Sequence, residues 1–205
     1  MKKSKFFNRA LVVLCVIAAF YFVGHFSAQK KIPEQVLPPV IKFKVFQSKN
    51  PPFNFTFEYP DVWHARERGY QGSYDMVEVM GAPGKNSPLM PGIFVTKKAL
   101  AGGGTLNGLM DAWLKTEGRY RNFKVFSSRD IEVSGQKALE TEYGYVLSLP
   151  LMSSKAKSIT VKKEQIVVVK DNASFELTFI GTEEQFKIYK PIFRHALETF
   201  EFSEP

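Results

Sequence analysis

The sequence predicts an α+β layer domain carried behind one N-terminal membrane-spanning helix. Three observations predict it. An apolar stretch, Ala10–Phe26, follows a basic N-terminus; strand-like segments with a period of two follow one another in pairs; and two helix-like segments stand apart in the chain. Of the 205 residues, 44% are hydrophobic and 23% charged, a globular composition. A chain of this length buries enough surface to fold without disulfides or a structural metal.

Residues 1–9 form a basic tail, and residues 10–26 read as a transmembrane anchor or signal segment. Tyr21, Phe22 and Phe26 sit at its far end, as an interfacial belt requires, and the basic flank keeps the N-terminus in the cytoplasm. Phe26 stands at position −3 of a cut after Ala28, which disfavours cleavage, and bulky Leu14 disfavours lipid modification of Cys15. Residues 27–41 contain Pro33, Pro38 and Pro39 and read as a semi-rigid stalk. The body, 42–205, then lies on the extracytoplasmic side of the cell membrane.

Lys42–Ser48 is the first strand. Phe53, Phe55, Phe57 and Tyr59 alternate with polar residues until Pro60, which has no amide to donate. Ser73–Met80 and Ile93–Lys97 follow. Leu106, Leu109, Met110, Trp113 and Leu114 make one apolar stripe on a helix over about Thr105 to Arg119. Asn122–Val133 and Gln136–Leu149 pair about Gly135, and Ser158–Lys170 pairs with Ser174–Ile180 about Asp171 and Asn172. Thr182 and Gln185 form a capping box for a last helix with Phe186, Tyr189, Phe193 and Leu197 on one side.

The formal net charge of +8 belongs to the N-terminus: Lys2, Lys3, Lys5, Arg9, Lys30 and Lys31 fall there without one acidic residue. The chain beyond them carries the remaining 22 basic residues against all 20 acidic ones, which argues against a nucleic-acid partner. Cys15 is the single cysteine, so the body has no thiol chemistry and no thiolate metal site. His64, read as a turn residue, and His195, read as a surface residue, lack the spacing of a metal site. Glu140 and Glu142 share one strand face, read as solvated, and no serine has a nucleophile-elbow context. Ala101–Thr105 lacks a P-loop lysine and reads as a connection ending in an N-cap. No catalytic residue, cofactor or metal is expected. Leu149–Lys157 is too long for a two-residue hairpin turn. Its Leu151, Met152, Lys155 and Lys157 are the candidate contact with a protein partner or lipid headgroups.

Phe53-Asn-Phe-Thr-Phe-Glu-Tyr59-Pro60-Asp-Val-Trp63 resembles the opening of the PsbP-like domain. Leu177–Gly181 through Phe186, Tyr189, Pro191, Phe193 and Phe200 resembles its last strand and helix, so the likeness spans roughly 42–204. The resemblance implies an α/β/α sandwich, a central mainly antiparallel sheet flanked by helices, as in Mog1-like proteins. Tyr59, Pro60 and Trp63 carry over as a strand-ending structural motif. PsbP proteins are extrinsic photosystem II subunits with assembly factors among their relatives. The anchor, the near-neutral body and the missing catalytic constellation give the expected function, a non-enzymatic membrane-anchored accessory, binding or assembly subunit of a membrane protein complex. An extracytoplasmic small-molecule or metal-binding module and an extrinsic photosystem-associated protein are the alternatives.

The charge asymmetry sets a topology test. Protease added to spheroplasts with an intact inner membrane is expected to digest the body; persistent protection there places the body in the cytoplasm.

Overall fold

The computed structural model describes residues 41–48, 53–70, 74–82, 89–100, 104–149 and 157–203. The expected anchor and most of the stalk, residues 1–40, lie outside them. Among the described residues, no helix is long and apolar enough to cross a membrane.

Among the described residues ten strands and two helices follow one another: β1 (Phe43–Gln47), β2 (Phe55–Pro60), β3 (His64–Tyr70), β4 (Tyr74–Met80), β5 (Gly92–Ala99), α1 (Leu106–Glu117), β6 (Arg121–Val133), β7 (Gln136–Leu149), β8 (Lys157–Lys170), β9 (Ala173–Thr182), α2 (Glu183–Glu198) and β10 (Glu201–Phe202). Seven strands form one sheet in the order β3-β4-β5-β9-β8-β7-β6, and β1-β2-β10 form a second. Every pairing is antiparallel. The hairpins β6–β7 and β8–β9 turn on Ser134-Gly135 and Asp171-Asn172, all with positive φ, as a two-residue type I′ turn requires.

The large sheet is covered on both faces. Leu139 and Val167, paired across β7 and β8, pack beneath Met110 of α1. One residue along, Ala138 and Val168 belong to the opposite cluster, with Phe193 of α2 and Phe55 and Phe57 of the small sheet. This is the expected sandwich, with the small sheet lying beside α2 in one outer layer. Thr105 caps α1 by accepting from the Gly108 amide at 3.1 Å. Thr182 and Gln185 form the expected capping box of α2.

Three expectations are corrected. His64 opens a strand, β3, rather than sitting in a turn; the charged run HARERGY hides the strand because it lies at the sheet edge, where Ala65 packs on the core. The Glu140/Glu142 face of β7 is not solvated, since α2 lies over it and leaves Glu140 only 4% exposed. His195 is half-buried, its ring centroid 4.0 Å from that of Phe43.

Antiparallel pairing gives the domain two ends. β3, β5, β6 and β8 begin, and β4, β7 and β9 end, at the same one. The chain enters the domain there too, because the Asp61 amide donates to the Lys42 carbonyl at 2.9 Å, just before β3.

Trp63 closes this entry end, 5% exposed and edge-on to Tyr189. Gly81 makes room for it, as a Cβ there would stand 2.7 Å from Trp63 Cε2. Trp63→Ala is expected to lower unfolding free energy by ~3–5 kcal/mol in urea titrations, and Gly81→Ala to destabilise by displacing the rigid ring.

Candidate functional site

The register of β7 and β8 sets Glu142 opposite Glu164, with Glu140 two residues along β7 on the same face. Three carboxylates are thus gathered under α2, where Glu140 is nearly buried and Glu164 fully so. Isolated buried carboxylates would be prohibitive, and each is met by a cation. Arg194 donates Nη1 and Nη2 to the two Glu140 oxygens at 2.8 and 2.9 Å, and its Nη2 also contacts Glu164. Lys190, one turn earlier on α2, lies 2.7 Å from Glu142 Oε2 and 3.3 Å from Glu164 Oε2. Arg129 of β6 donates Nε and Nη2 to Glu140, both at 3.1 Å, and Lys162 stands 3.8 Å from Glu142.

Burial pushes the Glu140 carboxyl up, but hydrogen bonds from Arg194 and Arg129 outweigh it and hold the carboxyl below the usual range. For Glu164, burial wins over Arg194 and Lys190, and the carboxyl stays raised. Burial pulls Lys190 down, while Glu142 and Glu164 outweigh it and hold the ammonium on. Each charge is engaged, so the network acts as a clamp between α2 and the sheet. A cleft of about 770 Å³ opens over it, lined by Lys162, Phe186, Lys190, Arg194, His195 and Glu198 among others. His195 Nε2 lies 2.6 Å from Glu58 Oε2, joining α2 to β2 as well.

The other face carries a second buried pair. Lys163 Nζ lies 3.0 Å from Glu117 at the end of α1, and 4.9 Å from the Trp113 ring centroid. Burial pulls the Lys163 ammonium down despite Glu117. Burial, reinforced by Glu117, pushes the Tyr143 and Tyr145 phenols up, so both stay neutral. Ser128 and Thr141 share a hydrogen bond of 2.9 Å, and Thr178 donates to Gln165.

At the entry end, Val62, His64, Arg66, Met80, Ala82 and Met90 line a mostly apolar cleft of about 440 Å³. His64 stands at this cleft, and among the described residues no group of three His, Cys, Asp or Glu is placed to hold a metal. Leu151, Met152 and Lys155 lie outside the described residues; Lys157, exposed, opens β8 at the entry end. Arg129, Lys190 and Arg194 were not singled out in the sequence, although Lys190 and Arg194 stand at i and i+4 beside the apolar stripe of α2.

Comparison with known proteins gives neighbours in fold. No family model matches the chain, and no curated protein matches it. The solution structure of cyanobacterial PsbP (CyanoP) from Synechocystis is 14% identical, covers 83% of this chain and 99% of its own, and superposes with a TM-score of 0.52. LpqN of Mycobacterium tuberculosis, described as involved in cell envelope biogenesis, is 13% identical over 80% of this chain and 92% of its own, TM-score 0.52. The Ran-binding protein Mog1p of Saccharomyces cerevisiae is 8% identical over 80% and 97%, TM-score 0.52. At such identities the likeness is one of fold, and it bears out the PsbP/Mog1-like architecture.

The clamp predicts two outcomes. Arg194→Ala leaves two buried carboxylates short of a partner and is expected to cost ~3–5 kcal/mol in urea titrations. Glu140, held low in the folded state, contributes stability above its unfolded value of 4.5 that is lost as pH falls below it. The urea midpoint of the unmodified protein should therefore fall more steeply between about pH 5 and about pH 3 than that of Glu140→Gln.

Proposed function

We propose that this chain is a non-enzymatic, membrane-anchored accessory subunit, one that binds or helps assemble a membrane protein complex. Its N-terminus is cytoplasmic, residues 10–26 cross the membrane, and the domain from residue 42 works on the extracytoplasmic side. One observation carries the reading: exposed apolar side chains gather at the end where the chain enters the domain. At the start of β6, the free edge of the large sheet, Tyr120, Val125 and Phe126 are all exposed, Phe126 by 46%. Tyr120 stacks on Tyr145 at 4.4 Å, and Lys162 lies 4.8 Å from the Phe126 ring centroid, so these side chains are held in place while exposed. The farther half of β6, Ser127–Glu132, is mainly polar and blunts that edge against unspecific pairing. An apolar edge next to the bilayer suits a neighbouring membrane protein. The likeness to CyanoP is one of fold and favours a photosystem no more than another complex.

Val125→Ser with Phe126→Ser is expected to leave the circular dichroism spectrum and melting midpoint nearly unchanged. The same pair should reduce recovery of copurifying membrane proteins in mild detergent about tenfold, as loss of an interface centre does. Full recovery of every partner by the folded variant would refute the assignment of β6 as the contact.

A further inference from the structure

We propose that the corner formed by Ile41, Val62 and Met90 lies against the surface of the lipid bilayer. The inference rests on the anchored reading above and adds a second membrane contact, made by the folded domain itself.

The corner is where the chain enters. Ile41 precedes Lys42, whose carbonyl accepts from the Asp61 amide, which brings Ile41 to the turn that carries Val62. Val62 is 75% exposed although it sits in a turn, and Ile41 and Met90 are exposed as well. The neighbouring Trp63 is buried, so the turn directs one large apolar side chain inward and the next one out. Val62 and Met90 line the same cleft of about 440 Å³, which makes them one patch rather than scattered residues.

Charge at the corner suits headgroups. Exposed Lys42 and Lys44 follow Ile41 along the chain, Lys44 Nζ donates to the Asp61 carbonyl at 2.8 Å, and the exposed Asp61 side chain sets one negative charge against them. Arg66 lines the cleft and remains 61% exposed while paired with Glu78. Basic side chains around an apolar tip favour an anionic lipid surface. A patch of three apolar side chains binds a surface only weakly on its own. A tethered domain does not need a large one. The 14 residues Ser27–Val40 can reach no more than about 50 Å, at ~3.6 Å per residue, which holds the corner at an effective concentration on the order of millimolar. Weak contact with the surface is then enough to orient the domain.

The test uses the full chain with Cys15→Ser, reconstituted in phosphatidylcholine vesicles with and without phosphatidylglycerol. An environment-sensitive fluorophore is placed at Val62→Cys and, as a control at the opposite end, at Glu201→Cys. Flotation reads the anchor, and quenching by nitroxide-bearing lipid and by aqueous iodide reads the corner. The expected result is nitroxide quenching about threefold greater at position 62 than at 201. It should be stronger with phosphatidylglycerol, weaker in high salt, and reduced by Met90→Asp. A chain that floats while its position-62 label stays open to iodide overturns the corner contact and leaves the anchor standing. A label shielded from iodide but not quenched by nitroxide lipid means that protein covers the corner, and overturns it too. A chain that fails to float overturns the anchor and, with it, the contact.

Discussion

The guanidinium of Arg194, laid across Glu140 and Glu164, is the interaction on which the arrangement of the layers depends. The sheet is covered on both faces, so Glu140 and Glu164 have almost no water to face and must be answered from within. The apolar stripe of α2, with Phe186, Phe193 and Leu197, gives burial but little angular definition. Lys190 and Arg194 supply the definition, because a helix rotated by one residue would leave two buried acids unpaired. A buried network of this kind contributes little net stability against an apolar equivalent, yet is costly to break at one partner. Its role is to fix where α2 lies. Through Glu58 and His195, and the Thr199 hydroxyl accepting from the Glu58 amide at 3.0 Å, the same helix also locates the small sheet.

Period and turn chemistry made much of the fold legible. The alternation of Phe55, Phe57 and Tyr59 is a buried face in fact, and the turns at Gly135 and Asp171-Asn172 need the positive φ that those residues tolerate. The helices begin at the caps the sequence marks. What was not legible is instructive in physical terms. β3 exists through pairing with β4 and has no apolar alternation of its own. The Glu140/Glu142 face has the pattern of a solvated surface, because periodicity separates polar from apolar and does not report whether water or a guanidinium receives the polar side. Arg129 comes from β6 and Arg194 from α2, and only the tertiary arrangement brings them to one carboxylate.

With the acids and bases beneath α1 and α2 locked into internal pairs, what the domain offers outward is its surface, and that surface is not uniform. Ile41, Val62, Met90, Tyr120, Val125 and Phe126 are all exposed towards the entry end. Sequential antiparallel pairing explains why: at one end of the sheet the β3–β4, β6–β7 and β8–β9 reversals are made, and at the other the chain enters and the β7–β8 connection departs. In the anchored state proposed above, a short stalk would restrict the accessible orientations to those that keep this end near the membrane. In this reading the two edges of the sheet divide the work. The β3 corner, small, apolar and ringed by Lys42, Lys44 and Arg66, meets lipid; the β6 edge, with its aromatic pair held by Tyr145 and Lys162, is left free for a protein. Such a division needs a rigid body, since tilting the sheet to bring one edge down lifts the other. The clamp under α2 and the Lys163–Glu117 pair under α1 pin the two outer layers to the sheet between those edges. The buried charges thereby fix how the two edges are presented relative to each other.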